Sequence, residues 1–441
     1  MDIDKAIRNL IPENMLKRSE TTLESLLSPI RNVLHQKRMP DKPFSDLQIE
    51  LLLKLLSSLD TDKDLDAARV GEREGRVASP IVEHLAAGFN HGIGRSGHVT
   101  APQPKAPGAS LMQMTANQVA LDAIRRLGLS NVKSGMIIPL STGMSIGLSL
   151  SALRRERGIK RVIIPRIDHT SPKRGIALSG LEVVESPTTL QDDAVVADLG
   201  ALERLIQENE DCAILSTTTF FPPRESDPIK EIAKLCDTYS SPLVVNNAYG
   251  VQVASIMSSI SSAIDAGKVD IIIQSGDKNF LAPVGSAIIV SPEESTLSSV
   301  AETYAGRATA APVVQTFAAL LALGLERYNL LREEQVRHRS MLYENMIEMA
   351  EKLKQRILEV QNPIAIAMTI DGMDAGTLGG RLYNRRVTGP RAINAGDYGS
   401  CIDNYPHSYI VMNAAIGATE NDIIKATTKL YKEGSSYTEP A

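Results

Sequence analysis

Lys278 is the residue of this sequence with the clearest potential for chemistry, and it directly follows an apolar run in residues 270–285 (DIIIQSGDKNFLAPVG). The apolar run predicts a buried strand, and the glycine, serine and asparagine near the lysine predict that the strand ends there. A lone lysine in such a place would simply reach solvent. If the lysine is buried, desolvation favours the neutral amine, which forms an imine with an aldehyde. Lys278 is therefore a candidate for covalent attachment of an aldehyde cofactor.

A turn rich in hydroxyl groups could bind a phosphate on such a cofactor. Residues 139–145 (PLSTGMS) lie between a predicted strand and a predicted helix. Free backbone N–H groups and the helix dipole attract an anion at a helix start. An ordinary N-cap would explain Ser141 or Thr142 alone. The predicted phosphate-binding residues are Ser141, Thr142, Gly143, Met144 and Ser145.

Two other predicted strand ends carry polar side chains that suit a planar cofactor ring. His169, in residues 165–172 (PRIDHTSP), could stack on the ring, and Asn246, in residues 244–250 (VVNNAYG), could point at it. Taken singly, the first would be a hydrogen-bonded surface histidine and the second a turn asparagine. Taken with the lysine and the hydroxyl turn, they predict pyridoxal 5′-phosphate (PLP), held as a Schiff base on Lys278.

Arginines beside glycines predict a second phosphate site, which would belong to the substrate. They occur in residues 71–76 (GEREGR) and residues 88–103 (GFNHGIGRSGHVTAPQ), and Arg307 lies in a separate loop, YAGRATAAP. Glycine lets the backbone approach a ligand closely, and a guanidinium group binds two phosphate oxygens at once. A single glycine-rich loop would be weak evidence, but here two loops carry arginines.

The elements that must position these residues follow a regular alternation. Seven short apolar runs predict buried strands, and helical patterns such as residues 145–157 and 228–239 separate most of them. The runs are residues 136–140, 162–165, 181–185, 212–216, 243–246, 270–274 and 286–290. The alternation predicts an α/β fold with a mainly parallel sheet covered on both faces. Ligands in such sheets bind at the carboxyl ends of the strands, where the candidate residues lie.

Three regions are predicted along the chain. Residues 1–70 form a helical N-terminal extension whose apolar stretch, residues 47–59, is expected to be buried against another domain or subunit. Residues 71–311 form the large PLP-binding domain. Residues 312–441 form a long linking helix, extending to about residue 360, and a small C-terminal α/β domain that ends in a frayed tail.

The composition is that of a soluble globular protein: 441 residues, of which 43% are hydrophobic and 22% charged. There is no membrane-spanning run, signal-peptide pattern or disulfide framework, so the protein is expected to be cytoplasmic with reduced cysteines. The net charge of −5 argues weakly against nucleic acid as a partner. Local basic clusters at residues 31–38, 154–161 and 381–391 are read first as solvated helix faces.

The chain also resembles a known family, the O-phosphoseryl-tRNA(Sec):L-selenocysteinyl-tRNA synthases, in its archaeal form. The resemblance covers about residues 10–430, with every motif in the family order. The motifs are GEREGR, GFNHGIGRSG, PQPKAPGAS, STGMS, TFFPPR, NNAYG, SGDKNFLAPVG, YAGRA and YIVMNAAIG.

This resemblance implies a PLP-dependent fold type I (aspartate-aminotransferase-like) architecture with a seven-stranded sheet. It implies PLP on Lys278, with Arg73 among the cofactor contacts and His169 at the ring. Asn246 stands where most fold type I enzymes carry an aspartate. A neutral amide there implies a weaker electron sink, which would serve β-elimination better than transamination.

The resemblance further implies the substrate and the partners. Arg95, Ser96, Gln103 and Arg307 would hold the phosphate of a phosphoseryl group on tRNA(Sec), and selenophosphate would replace that phosphate after β-elimination. Glu72 would repel the α-carboxylate of free phosphoserine, since two like charges about 4 Å apart repel by roughly 4 kcal/mol at an effective dielectric near 20. Arg391 would contact tRNA, and the N-terminal helices would build a homotetramer, a dimer of dimers.

Two other functions remain compatible with the residues. A PLP-dependent lyase or cysteine-desulfurase-like enzyme would act on a free amino acid and would need a mobile catalytic cysteine. Cys401, in a predicted loop, keeps that reading open. A non-catalytic tRNA-binding protein would not need the lysine, the hydroxyl turn or the arginine loops.

Overall fold

The computed structural model describes residues 12–437, so the predicted helical extension before residue 12 and the last tail residues lie outside the described part. The α-helices are α1 (Glu13–Gln36), α2 (Asp46–Ser57), α3 (Pro80–Leu85), α4 (Pro107–Arg126), α5 (Thr142–Arg157), α6 (Thr170–Leu178), α7 (Leu199–Glu208), α8 (Ile229–Thr238), α9 (Ala254–Ala266), α10 (Gly276–Phe280), α11 (Glu294–Thr303), α12 (Ala311–Lys352), α13 (Ala375–Asn384) and α14 (Glu420–Ser435). The strands are β1 (Ser134–Ile138), β2 (Arg161–Pro165), β3 (Glu182–Ser186), β4 (Thr188–Gln191), β5 (Ala194–Ala197), β6 (Cys212–Thr217), β7 (Leu243–Asn246), β8 (Ile271–Ser275), β9 (Ala287–Ser291), β10 (Ala365–Thr369), β11 (Arg391–Ile393) and β12 (Tyr409–Asn413).

A seven-stranded sheet, within residues 12–437, forms the centre of the large domain. Its order is β1-β9-β8-β7-β6-β2-β3, and all neighbours are parallel except β9, which runs antiparallel to both β1 and β8. Strands β6, β8 and β9 are buried along their whole length, as expected for isoleucine- and valine-rich strands covered on both faces. The predicted α/β fold is confirmed, and each predicted apolar run lies in one of these strands with its bounds shifted by no more than two residues.

The N-terminal helices pack against the large domain. Ser45 begins α2 with a capping box, in which its hydroxyl accepts a hydrogen bond from the Gln48 amide and the Gln48 side chain accepts one from the Ser45 amide. Ile49, Leu52 and Leu56 are buried, and α2 contacts both α1 and α4. Part of the apolar stretch is not covered in the single chain: three of its leucines are about half exposed, namely Leu47, Leu55 and Leu59.

The linking helix α12 is bent at Gly324, whose φ of 55° and ψ of 173° are not helical. A Cβ there would lie 2.7 Å from the backbone carbonyl carbon of Lys42, so only glycine lets the 40–43 segment cross the helix. The helix ends at Lys352, earlier than the sequence predicted. Leu358, which lies within the predicted end of the helix, is buried in extended chain instead, and its amide donates a hydrogen bond to Ala367 O of β10.

The small C-terminal domain contains an antiparallel sheet of order β10-β12-β11, with α12 packed on β10 and α13 on β11, while α14 packs on these two helices. Its apolar residues, among them Met346, Leu378, Ile410 and Leu430, form a cluster separate from that of the large domain. The three-residue strand β11 and the β4–β5 hairpin were not predicted, because neither is a long apolar run. No helix within residues 12–437 is long and apolar enough to span a membrane.

Candidate active site

The candidate cofactor residues lie at one edge of the large sheet. Ala287 of β9 pairs with Ile138 of β1 on one side and with Ser275 of β8 on the other. The hydroxyl turn begins just after Ile138 and Lys278 follows just after Ser275, so both leave the sheet at the same edge. Strand spacing places the two departure points roughly 10 Å apart. Asn246 is the last residue of β7, the parallel neighbour of β8.

A cavity of about 130 Å³ brings together three of the residues predicted from the sequence: Lys278, His169 and Asn246. The hydroxyl groups of Thr217 and Thr219 line the same cavity, as do three aromatic side chains, those of Phe220, Phe221 and Tyr249. Asn362, Ile364, Ala365 and Asn413, which come from the C-terminal part of the chain, close it. The cavity is therefore formed jointly by the large and the small domain, and we refer to it as the lysine cavity.

Lys278 is held in this cavity by the short helix α10. Its backbone carbonyl accepts a hydrogen bond of 3.1 Å from the Gln252 side chain. Its ammonium nitrogen lies 5.0 Å from the centre of the Tyr249 ring. Burial lowers the pKa of Lys278, and the charge of neighbouring Asp277 opposes this only in part. The site thus favours the neutral amine that imine formation requires.

His169 lies in the loop after β2, at the N-cap position of α6. The centres of the His169 and Phe220 rings are 5.9 Å apart, and the two rings are arranged edge to face. Burial, and then the positive charges of Lys278 and Arg391, lower the pKa of His169, so the neutral imidazole is favoured. Asp168, the preceding residue, connects this loop to the small domain. Its carboxylate accepts hydrogen bonds of 2.9 Å from the backbone amides of Gly399 and Cys401.

Unpaired polar atoms in the lysine cavity fit a polar ligand. Asn246 Oδ1 and the hydroxyl oxygens of Thr217 and Thr219 are buried, and none has a hydrogen-bond partner in the described part of the chain. Buried polar groups normally have partners, so these three atoms call for a ligand that supplies them. A pyridine aldehyde with a ring hydroxyl group has polar atoms, the hydroxyl group and the ring nitrogen, that can pair with these three atoms. Its aldehyde group can form an imine with Lys278.

The hydroxyl turn has the features of an anion site. Ser141 occupies the N-cap of α5, but its side chain makes no capping hydrogen bond, which leaves the first amides of this helix free. The buried Thr142 hydroxyl has no partner among residues 12–437. A Cβ on Gly143 would lie 2.2 Å from Ser171 Oγ, so glycine allows the starts of α5 and α6 to approach each other. No residue of the turn lines the lysine cavity. Met144 is 46% exposed and Ser145 is buried.

The residues predicted to bind the substrate phosphate gather in a second cavity of about 670 Å³, here called the arginine pocket. It is lined by Glu72, Arg73, Arg95, Ser96, Gln103 and Arg307. Among the described residues, this pocket and the lysine cavity have no lining residue in common. Arg73, which was predicted to contact the cofactor, lines the arginine pocket and not the lysine cavity of its own chain.

The loops of the arginine pocket support each other. Ile93 and Ala308 exchange backbone hydrogen bonds of 2.9 and 3.1 Å, which joins the glycine-rich loop to the loop of Arg307. Glu74 pairs with Lys105, and this contact holds the 71–76 loop in place. Neither Arg95 nor Arg307 makes a salt bridge in the described part of the chain, so both guanidinium groups are available to an anion.

Arg391 is placed differently from an ordinary surface residue. It begins β11, and its guanidinium carbon lies 5.5 Å from the ring centre of Phe220 and 5.2 Å from that of Phe221.

Sequence reasoning missed these two phenylalanines as site residues, and it also missed Tyr249. The signal was present, because TFFPPR follows a strand that ends at the candidate edge, and aromatic residues are only 4% of this chain.

The three cysteines, all within the described residues, are buried thiols. Cys401 accepts a hydrogen bond of 3.2 Å from the Asp168 amide, and burial raises its pKa to about 11. A protonated, enclosed thiol cannot act as the mobile nucleophile of a desulfurase. Cys401 does lie in a loop, as predicted, but its burial removes the support that it gave to the desulfurase-like alternative.

Comparisons with known proteins agree with the geometry. Residues 59–434 match the family model described as O-phosphoseryl-tRNA(Sec) selenium transferase. Proteins of that name from Methanopyrus kandleri and Methanococcus maripaludis are 44% and 40% identical, covering 97% and 98% of this chain and 99% of each relative. A crystal structure of an archaeal O-phosphoseryl-tRNA(Sec) selenium transferase superposes with a TM-score of 0.93 at 40% identity, covering 96% of this chain and 98% of that one.

A more distant structure shows the fold alone. The rice protein described as TDC with PLP and tryptamine has a TM-score of 0.59 at 13% identity and covers 98% of this chain and 99% of its own. The fold is therefore that of PLP-dependent fold type I enzymes. With a matching family model over most of its length and relatives above 30% identity, this chain belongs to the O-phosphoseryl-tRNA(Sec) selenium transferase family.

Proposed function

We propose that this protein converts O-phosphoseryl-tRNA(Sec) to selenocysteinyl-tRNA(Sec) with selenophosphate, and that it holds PLP on Lys278. The observation that carries this proposal is the half-buried Lys278 side chain, which lines one cavity with His169, Asn246 and unpaired hydroxyl groups at the edge of a fold type I sheet. The unpaired cysteines are consistent with a cytoplasmic enzyme.

Lys278, His169 and Asn246 of the lysine cavity, together with the hydroxyl turn, have roles in this proposal. Bound PLP supplies the electron sink that labilises the α-proton. Lys278 holds the cofactor and then moves that proton, for which its lowered pKa suits it. His169 and Asn246, which line the same cavity as Lys278, would hold the cofactor ring. The amides of the 141–145 turn, with the Thr142 hydroxyl, bind the cofactor phosphate, as the free start of α5 allows.

The arginine pocket binds the substrate phosphate in this proposal. Arg95, Ser96, Gln103 and Arg307 hold it, and the two guanidinium groups stabilise the charge that develops as phosphate leaves the β-carbon. Glu72 excludes free phosphoserine by repelling its α-carboxylate, a charge that the tRNA ester lacks. Its side chain is 89% exposed in the single chain, so water weakens the repulsion until the pocket is covered.

The active site is completed by a second copy of the chain. The two pockets share no lining residue, which supports a site in which Lys278 of one copy works with the arginine pocket of another, an arrangement that would also bring Arg73 to the cofactor. Exposed apolar residues lie next to Lys278 and next to the 71–76 loop of the arginine pocket. Leu281 and Val284 follow Lys278 and are 50% and 78% exposed, while Ile81 and Leu85 follow the 71–76 loop and are 68% and 71% exposed. Two such dimers form the homotetramer.

Subunit mixing tests this arrangement. We expect Lys278→Ala and Arg307→Ala chains to be inactive alone and to regain about one quarter of wild-type turnover after equal mixing and reassembly. Half of the dimers then contain one chain of each variant, and one of the two sites in each of these dimers has both residues intact. One quarter of all sites is therefore active. If both residues act within one chain, the mixture stays inactive, while a wild-type and Lys278→Ala mixture under the same conditions retains half of the activity.

A turnover assay tests the proposed function itself. Purified protein is expected to be yellow, with an absorption band that borohydride removes, and to form selenocysteinyl-tRNA from phosphoseryl-tRNA(Sec) and selenophosphate. Unacylated tRNA(Sec) and free phosphoserine are the controls. Turnover of free phosphoserine or cysteine without tRNA would establish a lyase instead, and a colourless protein that takes up no PLP would establish a non-catalytic tRNA-binding protein.

A further inference from the structure

Among the described residues that line the arginine pocket, one is a histidine, His91, and the proposed function gives it no role. Its ring lies beside the carboxylate of Asp62, with 3.7 Å between His91 Nε2 and Asp62 Oδ1. We propose that His91, oriented by Asp62, donates a proton to the substrate phosphate as this phosphate leaves the β-carbon. The inference rests on the proposed function and adds the proton donor that phosphate release requires.

The chemistry of the leaving group is the first argument. The side chain of phosphoserine is mostly a dianion at neutral pH, because its second pKa is about 6. When the bond between the β-carbon and oxygen breaks, its electron pair stays on the oxygen, so without a proton the leaving group would be a phosphate trianion. A proton delivered to a phosphate oxygen makes it ordinary hydrogen phosphate. Lys278 takes up the α-proton in the lysine cavity, so a separate donor beside the phosphate lets both transfers occur together.

The histidine and the aspartate form a buried pair, which is the second argument. Their side chains are 3% and 2% exposed. Lys63 and Asn90 donate hydrogen bonds of 2.6 and 2.8 Å to Asp62 Oδ2, which orients the carboxylate. Asp62 Oδ1 and His91 Nε2 are buried and have no hydrogen-bond partner in the described part of the chain. Their separation is longer than a hydrogen bond, but catalytic hydrogen bonds are often long before substrate binds.

The other nitrogen of the ring is the open one. Nδ1 of His91 also makes no hydrogen bond within residues 12–437, but unlike Nε2 it is not fully enclosed. A Cβ on Gly75 would lie 2.9 Å from Nε2, so the 71–76 loop covers that side of the ring. The loop that carries His91 is joined by backbone hydrogen bonds to the loop of Arg307. A carboxylate at one ring nitrogen and a reacting group at the other is the arrangement of a histidine that transfers protons.

The charges around His91 couple its protonation to anion binding. Burial lowers the pKa of His91 most, so the neutral ring is favoured. Asp62 and Glu74 oppose this effect, whereas Arg307 and Lys105 add to it. A phosphate dianion held by Arg307 offsets the positive charges and places negative charge beside the ring, which raises the pKa of His91. Binding of the substrate phosphate therefore brings in the proton that phosphate release consumes.

A change of leaving group tests the role in catalysis. We would compare phosphoseryl-tRNA(Sec) with the chloroalanyl ester of the same tRNA, following the release of phosphate or chloride without selenophosphate. Chloride leaves without a proton, so only the first substrate needs the donor. In His91→Asn we expect phosphate release to fall about 10²-fold, as for loss of a general acid, while chloride release stays within about twofold of wild type.

His338→Asn is the matched control, because His338 is equally buried, at 8% exposure of the whole residue, and lines neither pocket. Both release rates should be unchanged in this variant. Equal losses on both substrates in His91→Asn would overturn the proposal, because they would show that the histidine only supports the fold of its loop. A wild-type protein that releases neither phosphate nor chloride would instead refute the proposed function.

Calorimetry tests the coupling between anion and proton on the wild-type protein, without reference to turnover. Sulfate is the probe, because it is a dianion that does not titrate near neutral pH. Titrations in two buffers of different ionisation enthalpy should show proton uptake on binding, so sulfate affinity should fall as the pH rises. His91→Asn should bind sulfate without this uptake. The proposal is overturned if the wild-type protein takes up no proton, a result that stands even if the variant does not fold, or if His91→Asn takes up as many protons as the wild type.

Discussion

Lys278→Ala is expected to abolish formation of selenocysteinyl-tRNA, with a loss of at least about 10⁴-fold, while binding of tRNA(Sec) is unchanged. The amine both anchors the cofactor and moves the α-proton, and removal of a group with both roles exceeds the loss for a general base alone. The arginine pocket and Arg391 do not touch this side chain, so the surfaces proposed to bind the substrate remain intact.

The measurement combines turnover with equilibrium binding of phosphoseryl-tRNA(Sec). The borohydride-sensitive absorption band should also disappear. Lys160→Ala is a suitable control, because this lysine is 70% exposed and pairs with Asp211 at the surface. Substantial selenocysteinyl-tRNA made by Lys278→Ala would refute the assignment of the lysine. Loss of tRNA binding in the same variant would show that Lys278 supports the fold of the site instead.

Local signals in the sequence were enough to predict the sheet and the edge where the candidate residues lie. A short run of isoleucines such as DIII favours a buried strand of a covered sheet, and a glycine and a serine just before Lys278 indicate where the strand ends. The same reasoning located Asn246 and the 141–145 turn. Such signals depend on neighbouring residues, so the candidates at strand ends could be found without knowing how distant segments meet.

The separation of the two pockets could not be predicted in this way. Whether Arg73 and Lys278 of one chain approach each other depends on how the 71–76 loop leaves the large domain, and no local pattern encodes that path. Contacts over long sequence separations were missed for the same reason. Arg391 meets Phe220 and Phe221, and Asp168 binds the amides of Gly399 and Cys401. These contacts join the two domains around the lysine cavity.

Arg307→Ala is expected to lower kcat/KM for phosphoseryl-tRNA(Sec) roughly 10²–10³-fold, the range seen when one donor that stabilises transition-state charge is removed. Arg307 makes no salt bridge among residues 12–437, so its removal leaves no buried carboxylate unpaired. Its loop is held by the backbone bonds between Ile93 and Ala308, which do not involve the side chain. The fold and the lysine cavity should therefore persist.

PLP loading distinguishes this role from a structural one. Absorbance titration with PLP should give the wild-type affinity for Arg307→Ala, because Arg307 is proposed to bind the leaving phosphate and not the cofactor. Arg327→Ala is the control, because Arg327 forms a partly exposed salt bridge with Glu334 on the same helix. This change should alter neither turnover nor PLP affinity. Equal losses of turnover and of PLP affinity in Arg307→Ala would contradict the substrate role, because they would place the guanidinium group at the cofactor phosphate.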